Sequence, residues 1–127
     1  MSYCNKSYIL VVDDVLNNVL LLQTLLESEG YIVETALSGQ LALAKIQAAP
    51  PDLILLDIVM PCMDGWEVIR HIRQNHNLPF IPILVFTGCD ETSIAQGVED
   101  SGANGFIRKP IKIDKLLAKV SHLLQLG

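Results

Sequence analysis

The sequence predicts an α/β domain, a parallel sheet with helices packed on both of its faces. Three observations carry this. Short apolar runs alternate five times with stretches of helical spacing, and strands alternating with helices of that length call for parallel pairing. Three of the runs are apolar throughout, as strands covered on both faces must be. The chain has 127 residues, one domain on the usual scale of about 100–200 residues.

Tyr8-Ile-Leu-Val-Val12 is a β-branched apolar run that ends abruptly at Asp13-Asp14, so it reads as a buried strand. Residues 15–29 follow with Val15, Val19, Leu22 and Leu26 on one helical face, and Gly30 suits the position just past a helix end. Tyr31 to Ala36 is a more polar second strand, nearer an edge. Ser38-Gly39 opens a helix to about Ala48, and Pro50-Pro51 stops it. Leu53-Ile-Leu-Leu56 is a third strand, ending at Asp57 and followed by the loop Val59–Gly65 and a helix from Trp66 to Gln74. Ile81 to Phe86 is a fourth strand, ending at Thr87. Residues 91–100 have weaker helical spacing, with Gly97 inside costing about 1 kcal/mol relative to Ala. Gly105 to Ile107 is a short fifth strand. Lys112 to Leu124 is an amphipathic helix with Ile113, Leu116, Leu117, Val120 and Leu124 on its core side. Right-handed crossovers are expected throughout, with strands 1, 3 and 4 central.

Composition removes several classes of function. Nine Lys and Arg stand against 14 Asp and Glu, a net charge of −5, which disfavours nucleic-acid binding. No apolar run approaches the roughly 18 residues of a membrane span, and the first residues lack a secretory signal's apolar stretch. Cys4, Cys62 and Cys89 are an odd number without a C-x-x-C pair, so neither a disulfide framework nor a zinc site is expected, and a reducing cytoplasm is the simplest setting. His71, His76 and His122 are scattered and form no metal set.

In an open parallel sheet, ligands bind beyond the carboxyl ends of the strands. Four strands here end in polar groups at that edge: Asp13-Asp14, Asp57, Thr87 and Arg108-Lys109. Singly, each is an ordinary turn or cap residue; together they form a crevice of three carboxylates, a hydroxyl and one or two cations. Carboxylates so crowded need a shared proton or a cation between them. Oxygen ligands with room for water suit Mg²⁺. A carboxylate with a free oxygen can attack phosphorus, and Lys109 and Thr87 can receive the phosphoryl oxygens. Phosphoryl transfer asks mostly for such positioning and charge neutralisation.

Five motifs in order, Val-Val-Asp13-Asp14, Leu-Leu-Asp57-Ile-Val-Met60-Pro61-x-Met-Asp64-Gly65, Val-Phe-Thr87-Gly88, Gly102-Ala103-x-Gly105-Phe106 and Lys109-Pro110, resemble the receiver domain of bacterial two-component response regulators over nearly the whole chain. The resemblance implies a flavodoxin-like (βα)5 fold, its five-stranded parallel sheet ordered 2-1-3-4-5 with five helices on both faces. It implies a phosphoacceptor signalling module. Asp57 would take a phosphoryl group from a histidine kinase or histidine phosphotransfer protein. Asp14, Asp57 and the backbone carbonyl of Val59 would ligate Mg²⁺, or Mn²⁺ in its place, with Asp13 acting through a metal-bound water. Thr87 would bond the phosphoryl group and pair with Phe106 as the switch. Lys109 would pair with a phosphoryl oxygen, and the Lys109-Pro110 bond would be cis. Output would use the face made by the fourth helix, fifth strand and fifth helix towards a protein partner, and the resemblance also allows a phosphorylation-dependent homodimer. Such a module is not an enzyme in the usual sense, though it assists its own phosphorylation and hydrolysis. The expectation is one receiver domain over 1–127 with no output domain, since only a few residues follow the last helix.

Two positions depart from what the resemblance leads one to expect for fast hydrolysis. Val59 and Cys89 stand where side chains flank the attacking water, and both orient water poorly, which implies a long-lived phosphorylated state. Leu16 and Leu20 lie off the first helix's core stripe; singly exposed leucines need no explanation, and the sharper reading is a docking patch for the kinase's helices. Cys62 and Cys89 sit in loops at the active edge, where free thiols are commoner than redox pairs. Three other readings compete. An aspartyl-phosphate phosphatase of the haloacid-dehalogenase type wants a second Asp where Val59 stands. A flavin or nucleotide binder wants a Gly/Ser/Thr-rich loop where Asp13-Asp14 would repel phosphate. A degenerate receiver acting only by protein binding has no need of the complete acidic set.

Overall fold

The computed structural model describes residues 7–88 and 91–125, with the side chains of 91–94 outside the description. Ten elements alternate along it: β1 (Tyr8–Val12), α1 (Leu16–Ser28), β2 (Ile32–Ala36), α2 (Gly39–Ala48), β3 (Leu53–Asp57), α3 (Gly65–Gln74), β4 (Ile83–Thr87), α4 (Glu91–Ser101), β5 (Gly105–Arg108) and α5 (Ile113–Leu124). The strands form one parallel sheet in the order β2-β1-β3-β4-β5. The three fully apolar strands are therefore the central ones, and the polar β2 is an edge, as the sequence predicts.

Alternate residues of each strand feed two separate cores. Leu10, Val12, Ile54 and Leu56 pack with α2 and α3 on one face. Ile9, Val11, Leu53 and Leu55 pack with α1 and α5 on the other. The helix ends follow local chemistry. Ser38 caps α2 by accepting from the Leu41 N–H at 3.1 Å. Asp64 caps α3 by accepting from the Glu67 N–H at 3.0 Å. Gly30, with φ of +93°, terminates α1 in a left-handed conformation that glycine adopts without a Cβ clash.

Two expected core residues are not buried. Val15 is 46% and Ile113 50% exposed. Val15 is the extended N-cap of α1 rather than part of its stripe. Ile113 opens α5 and lines a groove with Leu21 and Leu25 instead of reaching the sheet. Leu123, which the sequence reading omits, is buried with Leu116 and Val120. β4 starts at Ile83 rather than Ile81, because Pro82 lacks a ladder N–H; Ile81 is nevertheless fully buried.

Gly97 has a reason that helix propensity hides. A Cβ built on it would lie 2.6 Å from two atoms of the Trp66 indole ring. The glycine thus gives α4 close contact with the aromatic residue of α3. Gly65 is constrained likewise: a Cβ there would meet the Asp57 carbonyl oxygen at 2.6 Å and Ile58 Cα at 2.8 Å. The start of α3 is pressed against the end of β3.

Candidate phosphoacceptor site

Strand register assembles the site. Val12 stands beside Leu56, and Asp57 beside Phe86, so the residues following β1, the end of β3 and the end of β4 share one edge. Asp13 and Thr87 are fully buried, and Asp57 is 3% exposed. Asp14 is exposed. Carboxylate oxygens of Asp13, Asp14 and Asp57 lie within 4.8 Å of one another. Lys109 reaches in from the end of β5, its Nζ 3.5 Å from Asp57 Oδ2 and 3.8 Å from Asp13 Oδ2. The same ammonium stands 5.4 Å from the centroid of the Phe86 ring, a cation–π contact that holds its side chain over β4. The Lys109 N–H donates to the Thr87 carbonyl at 2.7 Å, and the Lys109-Pro110 bond is cis.

Backbone donors fix the two buried carboxylates. Val59 N–H donates to Asp57 Oδ1 at 3.2 Å. Val15 N–H donates to Asp13 Oδ1 at 3.0 Å, and the Asn18 side-chain amide donates to Asp13 Oδ2 at 3.0 Å. Burial pushes the Asp57 carboxyl up to about 6, with the Asp13 charge adding to the rise and Lys109 and the Val59 N–H pulling it partly back. At neutral pH Asp57 is thus mostly ionised and markedly more basic than an ordinary aspartate.

All the residues singled out at the strand ends meet here except one. Arg108 is exposed in the groove beside α5 that Lys109 also lines; among the described residues it is the Lys109 ammonium that reaches the buried carboxylates. Phe106 is half-buried against the core on the α3 side. Val59 is 61% exposed beside Asp57. Cys62 is exposed, at φ +68°, in a γ-turn closed by Met63 N–H donating to the Pro61 carbonyl at 2.8 Å. Cys4 and Cys89 lie outside the described residues. Sequence reasoning missed Asn18; its one signal was an amide five residues after the first aspartate.

The family model for the response regulator receiver domain matches residues 9–121. The chain belongs to this family. Response regulator PleD of Caulobacter vibrioides is 44% identical over 116 residues, 91% of this chain and 25% of that protein. The alkaline phosphatase synthesis transcriptional regulatory protein PhoP of Bacillus subtilis is 40% identical over 117 residues, 92% of this chain and 48% of that protein. The chain therefore spans a quarter to a half of these curated relatives. Among solved structures, the chemotaxis protein CheY4 of Vibrio cholerae superposes with a TM-score of 0.88 at 34% identity, covering 94% of this chain and 99% of that one. Receiver membership makes phosphoacceptor signalling the setting of the site. Its three clustered carboxylates offer the oxygen donors that a hard divalent cation such as Mg²⁺ requires. No helix among the described residues is long and apolar enough to cross a membrane.

Proposed function

We propose that this receiver domain takes a phosphoryl group on Asp57 from a phosphohistidine of a histidine kinase or phosphotransfer protein. The observation that carries the reading is the pairing of a buried Asp57 carboxylate with a Lys109 ammonium 3.5 Å away. In the transfer, an Asp57 carboxylate oxygen forms the new P–O bond while the donor's P–N bond breaks, and the leaving imidazole takes up a proton. Lys109 and the Thr87 hydroxyl receive the phosphoryl oxygens. Asp14, Asp57 and the Val59 carbonyl would hold Mg²⁺, with Asp13 acting through water, and the ion would neutralise the crowded negative charge.

Phe106 and Thr87 sit on neighbouring strands, which supports their action as the switch between the site and the α4-β5-α5 face. That face carries an unusual charge. Five of the nine Lys and Arg fall within residues 108–119, beside only one of the 14 acidic residues. Arg108, Lys112, Lys115 and Lys119 line a groove of about 510 Å³ with Phe106 on its wall. An output partner with acidic and apolar groups fits it. Leu16 and Leu20 are 53% and 48% exposed on α1, which supports their role in kinase docking. The module acts by binding and being modified rather than by turning over a substrate. The test is labelling with acetyl phosphate: an acyl phosphate on Asp57 requires a divalent ion and is released by neutral hydroxylamine. Label that resists hydroxylamine overturns the assignment.

A further inference from the structure

We infer that Asn18 is a positioning residue that keeps Lys109 available to Asp57, an inference that rests on the phosphoacceptor reading above. Lys109 faces two buried carboxylates at nearly equal range, 3.8 Å to Asp13 Oδ2 and 3.5 Å to Asp57 Oδ2, both longer than the roughly 2.8 Å of a charge-assisted hydrogen bond. Coulomb attraction scales inversely with distance, so distance alone scarcely favours Asp57. What distinguishes the two carboxylates is how they are occupied. Both oxygens of Asp13 already have donors from the start of α1. Oδ1 accepts from the Val15 N–H and Oδ2 from Asn18 Nδ2–H, each at 3.0 Å. Asp57 takes the Val59 N–H on Oδ1 and contacts the Asp13 carboxyl, and its Oδ2 is the carboxylate atom nearest Lys109.

A fully buried carboxylate oxygen needs a donor. If Asn18 supplies none, the Lys109 ammonium, 3.8 Å away, is a cationic donor within reach of Asp13 Oδ2. A shift of about 1 Å would close that contact to charge-assisted hydrogen-bond length. The ammonium would then be held by a carboxylate that does not accept the phosphoryl group. The amide orientation is not arbitrary: Asp13, when ionised, only accepts, so the NH₂ end of Asn18 must face it. Helix capping does not account for the contact either. Asn18 is the third residue of α1, whose N-cap Val15 has no side-chain hydrogen bond, and its amide donates out of the helix to Asp13. Asn18 also lines the groove that holds Leu21, Leu25, Lys109 and Pro110. A leucine there would remove the donor and keep apolar neighbours.

The test measures affinity for beryllofluoride, a tetrahedral phosphoryl mimic, in saturating Mg²⁺. Four proteins are compared: wild type, Asn18→Leu, Lys109→Ala and the double variant, with Asn18→Ala as the second substitution should leucine disturb α1. Mg²⁺ affinity is titrated separately. Asn18→Leu should weaken beryllofluoride about tenfold, the low end for a hydrogen bond to a charged group, while Mg²⁺ affinity stays within about threefold. In the Lys109→Ala background the same substitution should have no further effect, since there is no ammonium left to misdirect. Equal weakening in both backgrounds, or none in either, overturns the inference and leaves Asn18 a packing residue. Wild-type protein that takes up no beryllofluoride overturns the phosphoacceptor reading itself.

Discussion

Asp57→Asn should stabilise the metal-free protein at neutral pH. Folding raises the Asp57 carboxyl from 3.8 to about 6, chiefly by burial. A carboxyl whose folded value lies above its unfolded value binds protons more tightly in the folded state. Its ionisation therefore costs stability as pH rises from 3.8 to about 6, and the full cost is present above that window. At about 1.4 kcal/mol per pH unit, the cost approaches about 3 kcal/mol. The rise to about 6 is already net of the attraction to Lys109; asparagine keeps the size and loses the charge, but its NH₂ end pairs less well than a carboxyl oxygen, about 1 kcal/mol, so a net gain of about 2 kcal/mol is expected. In a domain of this length that raises Tm by roughly 8 °C. The assay is thermal unfolding of both proteins in EDTA from pH 3.5 to 8. The gap should be near zero at pH 3.5, open through pH 4–6 and stay level above it. Saturating Mg²⁺ at pH 7.5 should narrow it by stabilising the wild type more. An Asp57→Asn variant no more stable than wild type at pH 7.5 in EDTA would refute the reasoning, because burying the Asp57 charge would then carry no net cost.

Gly97→Ala should destabilise by about 1–2 kcal/mol, although helix propensity alone favours alanine by about 1 kcal/mol, because the added methyl overpacks against Trp66; urea unfolding measures the sign, and Trp66 emission should shift. Val59→Asn or Val59→Glu, which place a polar side chain beside Asp57, should change the decay rate of the phosphorylated protein at least severalfold, and unchanged decay would mean that Val59 has no part in a long lifetime. Leu20→Glu should slow transfer from a cognate kinase and leave labelling by acetyl phosphate intact; equal loss from both donors would point to damage at the site rather than at a docking surface.

Much of this was legible in the chain. The apolar runs revealed the strands, and their abrupt polar ends marked the crevice, because a strand buried on both faces leaves little other place for an aspartate. What stayed hidden depended on distances between separate segments. Val15 and Ile113 fit their helical stripes by angle, yet each lies at a helix start, where the sheet does not cover it. Gly97 looks like a weak point until Trp66, 31 positions earlier, is seen against it. Asn18 is one of several polar residues of a surface helix, and only the buried Asp13 oxygen in front of its amide gives it meaning. Arg108 and Lys109 are adjacent in sequence and both line the groove beside α5, and only the distances show that the Lys109 ammonium reaches the buried carboxylates.

The central claim is tested most directly by intact mass after incubation with acetyl phosphate and Mg²⁺, comparing wild type with Asp57→Asn. One added phosphoryl group on the wild type, absent with EDTA and absent from the variant, is the predicted result. A phosphoryl group gained equally by the Asp57→Asn variant, or no gain by wild type from acetyl phosphate and from a cognate kinase alike, would contradict the account.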